Sequence, residues 1–578
     1  MKVLLISDFN LQNLAHLLNN DANQPLCTAE VAPFGQVANS LANSSQNADF
    51  AFVWTLADRA VPSFNRLLKG EAVDDNELSD EVDEFARRVM TEASRFRGLF
   101  LASWTLPPYW RRRSIKDFER GHLKHTLMRM NLQLADSFTE ATGVHILDAQ
   151  EWMGAAGKRS FSPKLWYLSK TPFHADVFQE VGRDIKAGIA GLLGQAKKLI
   201  VLDLDNTLWG GTVGDCGWQN VRLGGHDYLG EAFVDFQKAL KSLSEAGVVL
   251  ALASKNEESV AFEVIRRHPE MILRSADFAA WRINWKDKAV SVAELAEELN
   301  IGLQSVLFID DNPAERARVR EALPEVYVPE WPDDPTSFAS CLLGLTCFDT
   351  PHLTAEDRLR VKSYTSEKTR AGLRETSDSH EQWLLSLDTR VVAETLNAVN
   401  LPRFVQLFNK TNQMNLTTRR MTEVEVLQWL EKHQGRFWTF RVNDRCGDSG
   451  ITGIVGIEIT GHTALLTDFI LSCRVMGRHV EKAMLAVAVE YCRSRGLQEI
   501  IATYVPTAKN KPCLDFWQSS GFRFDASNRT FVWTLDQPYP LPPGITLISL
   551  ISEQPQEAEA AWVLPGSTRE FGIGTSRS

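Results

Sequence analysis

The sequence has no paired-cysteine pattern and no excess of basic residues. Its 578 residues include eight cysteines, which form no CxxC pair and lack the density of a disulfide scaffold, so we expect a reducing cytosol. The formal net charge is −11, which argues against a nucleic-acid-binding surface because such surfaces need clustered lysine and arginine. We therefore expect a cytoplasmic protein with no nucleic-acid partner.

Long hydrophobic runs and internal repeats are also missing. The opening run MKVLLISDFN reaches Asp8 too early for a signal peptide, and no stretch approaches the length of about 20 apolar residues that spans a bilayer. We expect no membrane partner. A chain of this length predicts several domains rather than one.

The most informative segment that is present is VLDLDNTLWGG, residues 201–211. A short apolar run predicts a buried strand, and Asp203 and Asp205 then face one spot at its carboxyl end, with Thr207 on the same turn. Two like charges there repel unless a cation or a proton offsets them, which suits Mg²⁺ and phosphate chemistry. The alternative is a chance pair of aspartates in a turn.

Three later segments also carry polar residues where a predicted strand ends or a predicted helix begins. They are LALASKN (250–256) with Ser254, NWKDKA (284–289) with Lys286 and Lys288, and VLFIDDNPAER (306–316) with Asp310 and Asp311. In a parallel α/β sheet such positions converge on one edge, where ligands bind. The sequence therefore predicts one polar site built from four segments.

The four motifs, in this order, resemble those of the haloacid dehalogenase (HAD) phosphotransferase superfamily. The fuller wording LDLDNTLWGGTVGD, FAAWRINWKDKA and FIDDNPAER is similar to its FkbH-like branch, subfamily IIIC. The resemblance implies that Asp203 is the nucleophile or the main phosphate-facing carboxylate and that Asp205 is the general acid and base. It also implies a Mg²⁺ site made of Asp203, Asp310 and the backbone carbonyl of Asp205, supported by Asp311.

The resemblance assigns further catalytic roles around this metal site. Ser254 and Lys288 would neutralise phosphoryl oxygens, with Lys286 as the alternate lysine. Thr207 keeps the phosphatase-like form of the first motif, so plain phosphatase action stays open. Cys216 lies just past that motif and is a candidate acyl relay, although a carrier-protein phosphopantetheine is the favoured thiol.

The changes of pattern along the chain predict an α/β fold in three domains: an SGNH-like α/β domain, a HAD-like Rossmannoid parallel sheet and a GNAT-like α+β domain. The predicted boundaries are 1–196, 197–345, a helical linker at 346–387, 388–536, and a weakly ordered tail at 537–578. The first domain faintly resembles the SGNH hydrolase fold through Ser7 and His174, but the usual oxyanion residues and the Asp before His174 are missing. A structural histidine is the alternative.

The third domain resembles the GCN5-related N-acetyltransferase (GNAT) fold. In LSCRVMGRHVEKAML, Arg474, Gly477 and Arg478 lie between a strand and a long helix, and Asn510 matches a polar residue after the next strand. The resemblance implies binding of acyl-coenzyme A or a pantetheine arm at this loop. The alternative is that both arginines are solvated or paired with acids such as Glu481.

Together, the resemblances imply a function in acyl transfer. FkbH-like proteins are associated with loading a glyceryl group onto an acyl carrier protein thiol with loss of phosphate. We therefore expect a small phosphorylated acyl substrate, an acyl carrier protein partner, and Mg²⁺ with acyl-coenzyme A or phosphopantetheine as cofactors. The alternatives are a HAD phosphatase fused to an N-acetyltransferase for a small amine or amino sugar, and a non-enzymatic carrier-docking scaffold.

Overall fold

The computed structural model describes residues 1–42, 48–107, 116–139, 141, 143–350, 370, 373–374 and 379–550. Within these residues the strands form three separate sheets of five, four and nine strands. The predicted fold class, an α/β chain with two parallel sheets followed by an α+β unit, is confirmed. In the described part of the chain, no helix combines the length and the apolar character needed to cross a bilayer.

The first unit (residues 1–196) is a parallel sheet with the strand order β2-β1-β3-β4-β5. Alternate residues of its strands point to opposite faces, so that Leu5 enters one core and Leu4 the other. Its strands are β1 (Lys2–Ser7), β2 (Thr28–Val31), β3 (Phe50–Trp54), β4 (Gly98–Ala102) and β5 (Val144–Leu147). Its helices are α1 (Gln12–Asn20), α2 (Val37–Ala42), α3 (Ala57–Ala60), α4 (Pro62–Leu68), α5 (Asp75–Ala93), α6 (Leu123–Ser137), α7 (Ala149–Ala156), α8 (Pro163–Ser169) and α9 (Ala175–Leu192).

The second unit (residues 197–345) is a parallel sheet with the strand order β8-β7-β6-β9. Every residue of its two central strands is buried because helices cover both faces. Its strands are β6 (Leu199–Leu202), β7 (Val249–Ser254), β8 (Phe278–Ile283) and β9 (Val306–Ile309). Its helices are α10 (Val213–Cys216), α11 (Tyr228–Glu245), α12 (Glu258–Arg267), α13 (Lys288–Glu298), α14 (Pro313–Ala322) and α15 (Phe338–Leu343).

The third unit (residues 379–550) has a mostly antiparallel sheet with the strand order β16-β17-β15-β14-β13-β12-β10-β18, and β11 pairs with β14. Among the described strands of this unit, only β14 with β15 and β10 with β18 are parallel pairs. Its strands are β10 (Thr389–Thr395), β11 (Met414–Asn415), β12 (Gly435–Asp444), β13 (Gly447–Thr460), β14 (Thr463–Leu471), β15 (Glu499–Thr503), β16 (Arg523–Asp525), β17 (Thr530–Thr534) and β18 (Ile545–Leu550). Its helices are α16 (His380–Ser386), α17 (Leu401–Lys410), α18 (Glu423–Lys432), α19 (Val480–Ser494) and α20 (Lys511–Ser519).

The prediction of a weakly ordered tail from residue 537 is wrong for its first part. Tyr539 is buried and its hydroxyl donates to Ser520 O at 2.6 Å. Strand β18 then pairs in parallel with β10 at the edge of the third sheet. The Pro-rich composition of this segment gave no indication of a strand. Strand β18 pairs with a segment about 150 residues earlier, and such pairing is not visible in the local sequence. Residues 551–578 lie outside the described residues, as does most of the predicted linker.

The three units contact one another through polar side chains. Examples are Arg97 with Glu425 at 3.0 Å, Cys473 Sγ with Asn300 O at 3.5 Å, and Lys509 Nζ with Gln304 Oε1 at 2.8 Å. Polar contacts of this kind are typical of interfaces between domains of one chain.

Candidate functional site

The site lies at the carboxyl edge of the second sheet, where all four predicted segments meet. Asp203 follows β6, Ser254 ends β7 and Asp310 follows β9. The Asp203 amide donates to Ile309 O at 3.0 Å, and the Asn284 amide after β8 donates to Ser254 O at 3.0 Å. Because the strands are parallel, their carboxyl ends share one edge, which is the usual ligand position in such sheets.

Two helix N-termini fix the polar residues of this edge. The Asp287 side chain caps α13 by accepting from the Ala289 amide at 2.8 Å, which places Lys288 at the first helical position. Asn312 caps α14, and its own amide donates to Asp310 Oδ1 at 2.9 Å. The caps therefore orient the lysine and the aspartate that the strand ends bring together.

The centre of the site is a buried lysine between two buried carboxylates. Lys288 Nζ lies 2.9 Å from Asp203 Oδ2 and 2.5 Å from Asp310 Oδ2. Burial alone would lower the pKa of Lys288, but the two carboxylates outweigh it and raise that pKa above its ordinary value. Burial and the charge of Asp203 raise the pKa of Asp310 to about 6, although Lys288 opposes them.

These carboxylates fit a hard divalent cation. Oxygens of Asp203, Asp310 and Asp311 all lie within 4.8 Å of one another. Asp203 Oδ1 is buried and has no hydrogen-bond partner in the described residues, so one oxygen of the group is left for a ligand. An all-oxygen set suits Mg²⁺, whereas zinc prefers sites with histidine or cysteine. Of the predicted metal residues, Asp203, Asp310 and Asp311 are brought together.

Asp205 faces a different set of groups from the other aspartates. Its Oδ1 accepts from Trp209 Nε1 at 2.9 Å and from the Val213 amide at 3.1 Å, and its Oδ2 accepts from Asn256 Nδ2 at 2.8 Å. Its side chain is therefore not part of the metal-fitting group, which corrects any side-chain role in binding the cation. The predicted role of its backbone carbonyl stays a prediction.

Asn256 is a site residue that the sequence analysis missed. It is buried and orients Oδ2 of Asp205, the oxygen that has only one hydrogen-bond donor. The signal for it was present, because Asn256 closes the segment LALASKN two residues after Ser254. The sequence analysis singled out only Ser254 in that segment. Lys255, between the two residues, donates to Glu315 Oε1 at 2.6 Å instead.

Thr207 and Lys286 contact other residues of the second unit. Thr207 is fully buried, and its Oγ1 accepts from the Asp311 amide at 3.2 Å, so that it positions Asp311. A catalytic role of Thr207, which the resemblance implies, stays a prediction. The Lys286 side chain is 61% exposed and pairs with Glu294, so Lys288 is the lysine of the site.

The geometry gives little support to Cys216 as an acyl relay. Its thiol donates to Thr212 O at 3.2 Å. Burial and the nearby charges of Asp205 and Asp215 raise the pKa of this thiol. A thiol acts as a nucleophile in its ionised form, which this environment disfavours.

The first unit does not bring its two candidate residues together. Ser7 is buried and its Oγ accepts from the Phe9 amide at 3.1 Å. The half-exposed His174 ring instead lies 3.4 Å from Asp176. No hydrogen bond joins Ser7 to His174 within the described residues, so the structure shows no hydrolase pair in this unit.

In the third unit, an acidic side chain already occupies the predicted phosphate loop. The Gly477 amide donates to Glu481 Oε1 at 2.8 Å, and Glu481 is only 5% exposed. Burial raises the pKa of Glu481, while the amides of Gly477 and of Glu481 itself oppose that rise. This corrects the predicted role of Gly477, because the amide expected to bind phosphate is bound to a carboxylate of the same chain.

The arginines of this loop are engaged inside the unit as well. Arg478 is buried and its Nη1 lies 3.0 Å from Asp444 Oδ2, which also pairs with Arg370 at 2.8 Å. Arg478 further donates to the carbonyl of Arg474, and Arg474 Nε lies 3.5 Å from Ser472 Oγ. The predicted phosphate contact by Arg478 is therefore replaced by a buried ion pair.

Asn510 likewise has no polar atom left for a cofactor. Its Oδ1 accepts from the Tyr504 hydroxyl at 2.8 Å and the Thr507 amide at 2.7 Å. Its Nδ2 donates to Asn415 O at 3.0 Å and Val505 O at 2.9 Å. All four of its hydrogen-bonding positions are used, so Asn510 fixes the loop before α20 rather than binding a ligand.

Comparison with solved structures shows a likeness to a phosphatase domain. The chain is similar to the N-terminal part of the protein BF1531 from Bacteroides fragilis, which contains a phosphatase domain and was solved in complex with Mg. The identity is 28% over 61% of this chain and 94% of that chain, with a TM-score of 0.54. No family model matches the chain, and the search of curated proteins found no match.

Two acetyltransferase structures match a smaller part of the chain. One is an IAA acetyltransferase from Bacillus cereus, at 16% identity over 24% of this chain and 79% of that chain, with a TM-score of 0.19. The other is the PaiA N-acetyltransferase from Thermoplasma acidophilum in complex with coenzyme A, at 13% identity over 25% and 98%, with a TM-score of 0.20. We draw no conclusion on activity from these two likenesses.

We predict that Mg²⁺ stabilises the protein and that Asp310→Asn removes this effect. A ligand that binds only the folded state adds about 2.7 kcal/mol at a concentration 100 times its Kd. The measurement is the shift of the thermal unfolding midpoint on adding Mg²⁺, relative to EDTA. Asp235→Asn is the control, because Asp235 pairs with Lys238 on an exposed helix face. An equal shift in Asp310→Asn would show that the cation binds elsewhere.

We also predict that Glu481→Ala strengthens the binding of coenzyme A, by about tenfold or more, because the buried carboxylate repels phosphate and occupies the Gly477 amide. Calorimetry on the full chain measures the affinity. Glu481→Gln is the matched control, since it keeps a hydrogen-bond acceptor and removes the charge, and it should fall between the two. Equal affinities in all three proteins would mean that the loop is not where coenzyme A binds.

Proposed function

We propose that the second unit is a Mg²⁺-dependent phosphohydrolase or phosphotransferase of the HAD type. The observation that carries this proposal is the buried Asp203, whose Oδ1 has no partner in the described residues and whose Oδ2 contacts Lys288 at the sheet edge. A nucleophilic carboxylate needs such an uncommitted oxygen facing the ligand position. The likeness to a phosphatase domain complexed with Mg supports the same reaction class.

Each residue of the site has a separate role in the proposed phosphate transfer. Asp203 attacks phosphorus, the bond from phosphorus to the ester oxygen breaks, and Asp205 gives a proton to that leaving oxygen. Asp205 then takes a proton from the attacking group, which displaces the phosphoryl group from Asp203. Lys288 and Ser254 offset charge on the phosphoryl oxygens. When bound by Asp203, Asp310 and Asp311, Mg²⁺ would supply further neutralisation of that charge.

The finer proposal is that this site is FkbH-like and serves acyl transfer. A small acyl phosphate would bind with its phosphate facing Asp203 and Lys288, while a thiolate attacks the acyl carbon, the bond from that carbon to the phosphate oxygen breaks, and phosphate leaves. The raised pKa of Cys216 supports an external thiol, so we assign it to the phosphopantetheine of an acyl carrier protein. The setting would be secondary-metabolite or polysaccharide biosynthesis in the cytoplasm.

The alternative of a phosphatase fused to a working N-acetyltransferase has less support. Its acyl-coenzyme A would need the loop amide that Glu481 occupies and the arginine that Asp444 pairs with. We likewise interpret the first unit as an SGNH-like fold without hydrolase activity, because Ser7 and His174 make separate contacts.

The test is to incubate the full chain with Mg²⁺, a panel of acyl phosphates and a phosphopantetheinylated carrier, and to follow phosphate release and carrier mass. We expect both to change together, and Asp203→Asn to lower phosphate release by several orders of magnitude with an unchanged circular dichroism spectrum. The carrier without phosphopantetheine is the control. Phosphate release without a mass change would leave a plain phosphatase, and near-normal turnover in Asp203→Asn would remove the HAD assignment.

We further predict that Asn256→Leu impairs protonation of the leaving group. The variant removes the donor that orients Asp205 Oδ2, so kcat for phenyl phosphate should fall by about tenfold to a hundredfold. The loss should be smaller for p-nitrophenyl phosphate, whose leaving group departs without a proton. Lys255→Gln is the control, because the neighbouring Lys255 is paired with Glu315 outside this network. Equal losses on both substrates would contradict a role of Asn256 through Asp205.

A further inference from the structure

A large groove lies where the three units meet, away from the phosphate-transfer edge. Its volume is about 1230 Å³. The first unit contributes residues of α1 and α9, and the second contributes Lys197, Lys198 and Ser305. The third contributes Lys410, at the end of α17, and Arg420. Ligand sites in proteins are often found between domains, and their usual volumes reach about 1000 Å³, so this groove is large enough for one.

The groove is basic although the chain as a whole is acidic. Among the described residues that line it, seven are lysine or arginine and three are aspartate or glutamate. Three of the cations are paired with acids, Lys186 with Asp21, Arg97 with Glu425 and Arg183 with Glu180. Lys197 and Arg420 have no carboxylate within ion-pair distance among the described residues. A chain with a formal net charge of −11 therefore concentrates positive charge in one concave place. Concave surfaces of one sign attract ligands of the opposite sign.

Lys197 lines this groove without an acidic partner. Its Nζ donates to Gln304 O at 2.6 Å and lies 5.7 Å from the centre of the Tyr327 ring. No carboxylate of the described residues lies within ion-pair distance of it. Burial lowers the pKa of Lys197, as expected for an ammonium group whose charge is not offset by an acid.

Arg420 also lines the groove without an acidic partner among the described residues. Its Nη1 donates to Phe408 O at 2.6 Å and Thr411 O at 3.1 Å, and its Nη2 donates to Asn412 Oδ1. These contacts complete the C-terminus of α17, where a cation is favourable. They do not neutralise the guanidinium, however, since no described carboxylate pairs with it, and burial lowers the pKa of Arg420.

The groove is separate from the phosphate-transfer site. Lys197 and Lys198 precede β6 and Ser305 precedes β9, whereas Asp203 and Asp310 follow these strands. Strands of four residues hold the two edges about 13 Å apart. A ligand in the groove therefore does not contact the catalytic aspartates.

We propose that this groove is a binding site for a phosphate-bearing small molecule, with Lys197 and Arg420 among the cations that bind it. Two partly buried cations without acidic partners in the described residues form charge-assisted hydrogen bonds with phosphate oxygens at little cost, because no ion pair has to be broken. The shared chemistry is that of a phosphate group, and its source is either a free inorganic phosphate species or the phosphate ester of a pantetheine arm. The site is independent of the proposed phosphate transfer.

The experiment is calorimetry on the full chain in EDTA, with inorganic pyrophosphate and with 4′-phosphopantetheine as probes. We expect at least one probe to bind, with an affinity that decreases as salt rises. Lys197→Gln keeps a donor to Gln304 but removes the charge, and it should weaken binding by about tenfold or more. Arg420→Lys tests the guanidinium while keeping a cation at the helix end. The probe that binds more tightly, pyrophosphate or 4′-phosphopantetheine, identifies the source of the phosphate.

Two further variants separate this site from the rest of the molecule. Lys238→Gln is the control for loss of a surface charge, and it should bind as the wild type does, since Lys238 pairs with Asp235 on α11. Asp203→Asn should also keep full binding, even if its phosphate release is lost. The proposal is overturned if the wild type binds neither probe at millimolar concentration, if Lys197→Gln binds as tightly as the wild type, or if Asp203→Asn abolishes binding.

Discussion

The contact of the Lys288 ammonium with Asp203 and Asp310 is the interaction on which the second unit depends. Carboxylates crowded into a buried edge repel one another, and burial alone would protonate them. The Lys288 ammonium group lies 2.9 Å from Asp203 Oδ2 and 2.5 Å from Asp310 Oδ2. Its positive charge stabilises the ionised form of both carboxylates without a metal. Arg316 adds to this by donating to the carbonyls of Asp310 and Asp311, at 2.8 Å and 2.7 Å. The edge is thus kept folded and acidic, which is the state that accepts a cation and a phosphate.

The third unit meets the same electrostatic problem with a different result. Its loop before α19 offers a free amide at Gly477, and an unsatisfied buried amide is costly. Glu481, one helical turn later, accepts from it and removes the need for an external anion. The neighbouring Arg478 is neutralised by Asp444 rather than by a ligand. The loop predicted to bind phosphate therefore has its charges balanced within the unit.

The arrangement of the three units creates what none of them has alone. The amino edge of the second sheet lies at the opposite end of the strands from Asp203 and Asp310, and it meets α9 of the first unit and the end of α17 of the third. Lysine and arginine from different units thereby line one groove. The catalytic edge and this groove lie at opposite ends of the same strands, so a change in either place leaves the local contacts of the other intact.

The sequence by itself determined the sheet types, the four motif segments and the identity of the aspartates, because short-range patterns decide them. An apolar run that ends in a polar cluster predicts the end of a buried strand from local sequence alone. It could not decide the partners of each side chain. That Asn256 orients Asp205 and that Thr207 supports Asp311 depend on the directions of side chains from separate strands and helices.

The same limit applies to the third unit and to its last strand. The residues Arg474, Gly477, Arg478 and Asn510 have the types expected of a phosphate loop, yet Glu481, Asp444 and local backbone groups satisfy most of their polar atoms. Strand β18 forms only because β10, far away in the chain, offers a free edge. Residue type states which bonds a side chain is able to make, and tertiary structure alone decides which partner it meets, because that partner comes from a distant part of the chain.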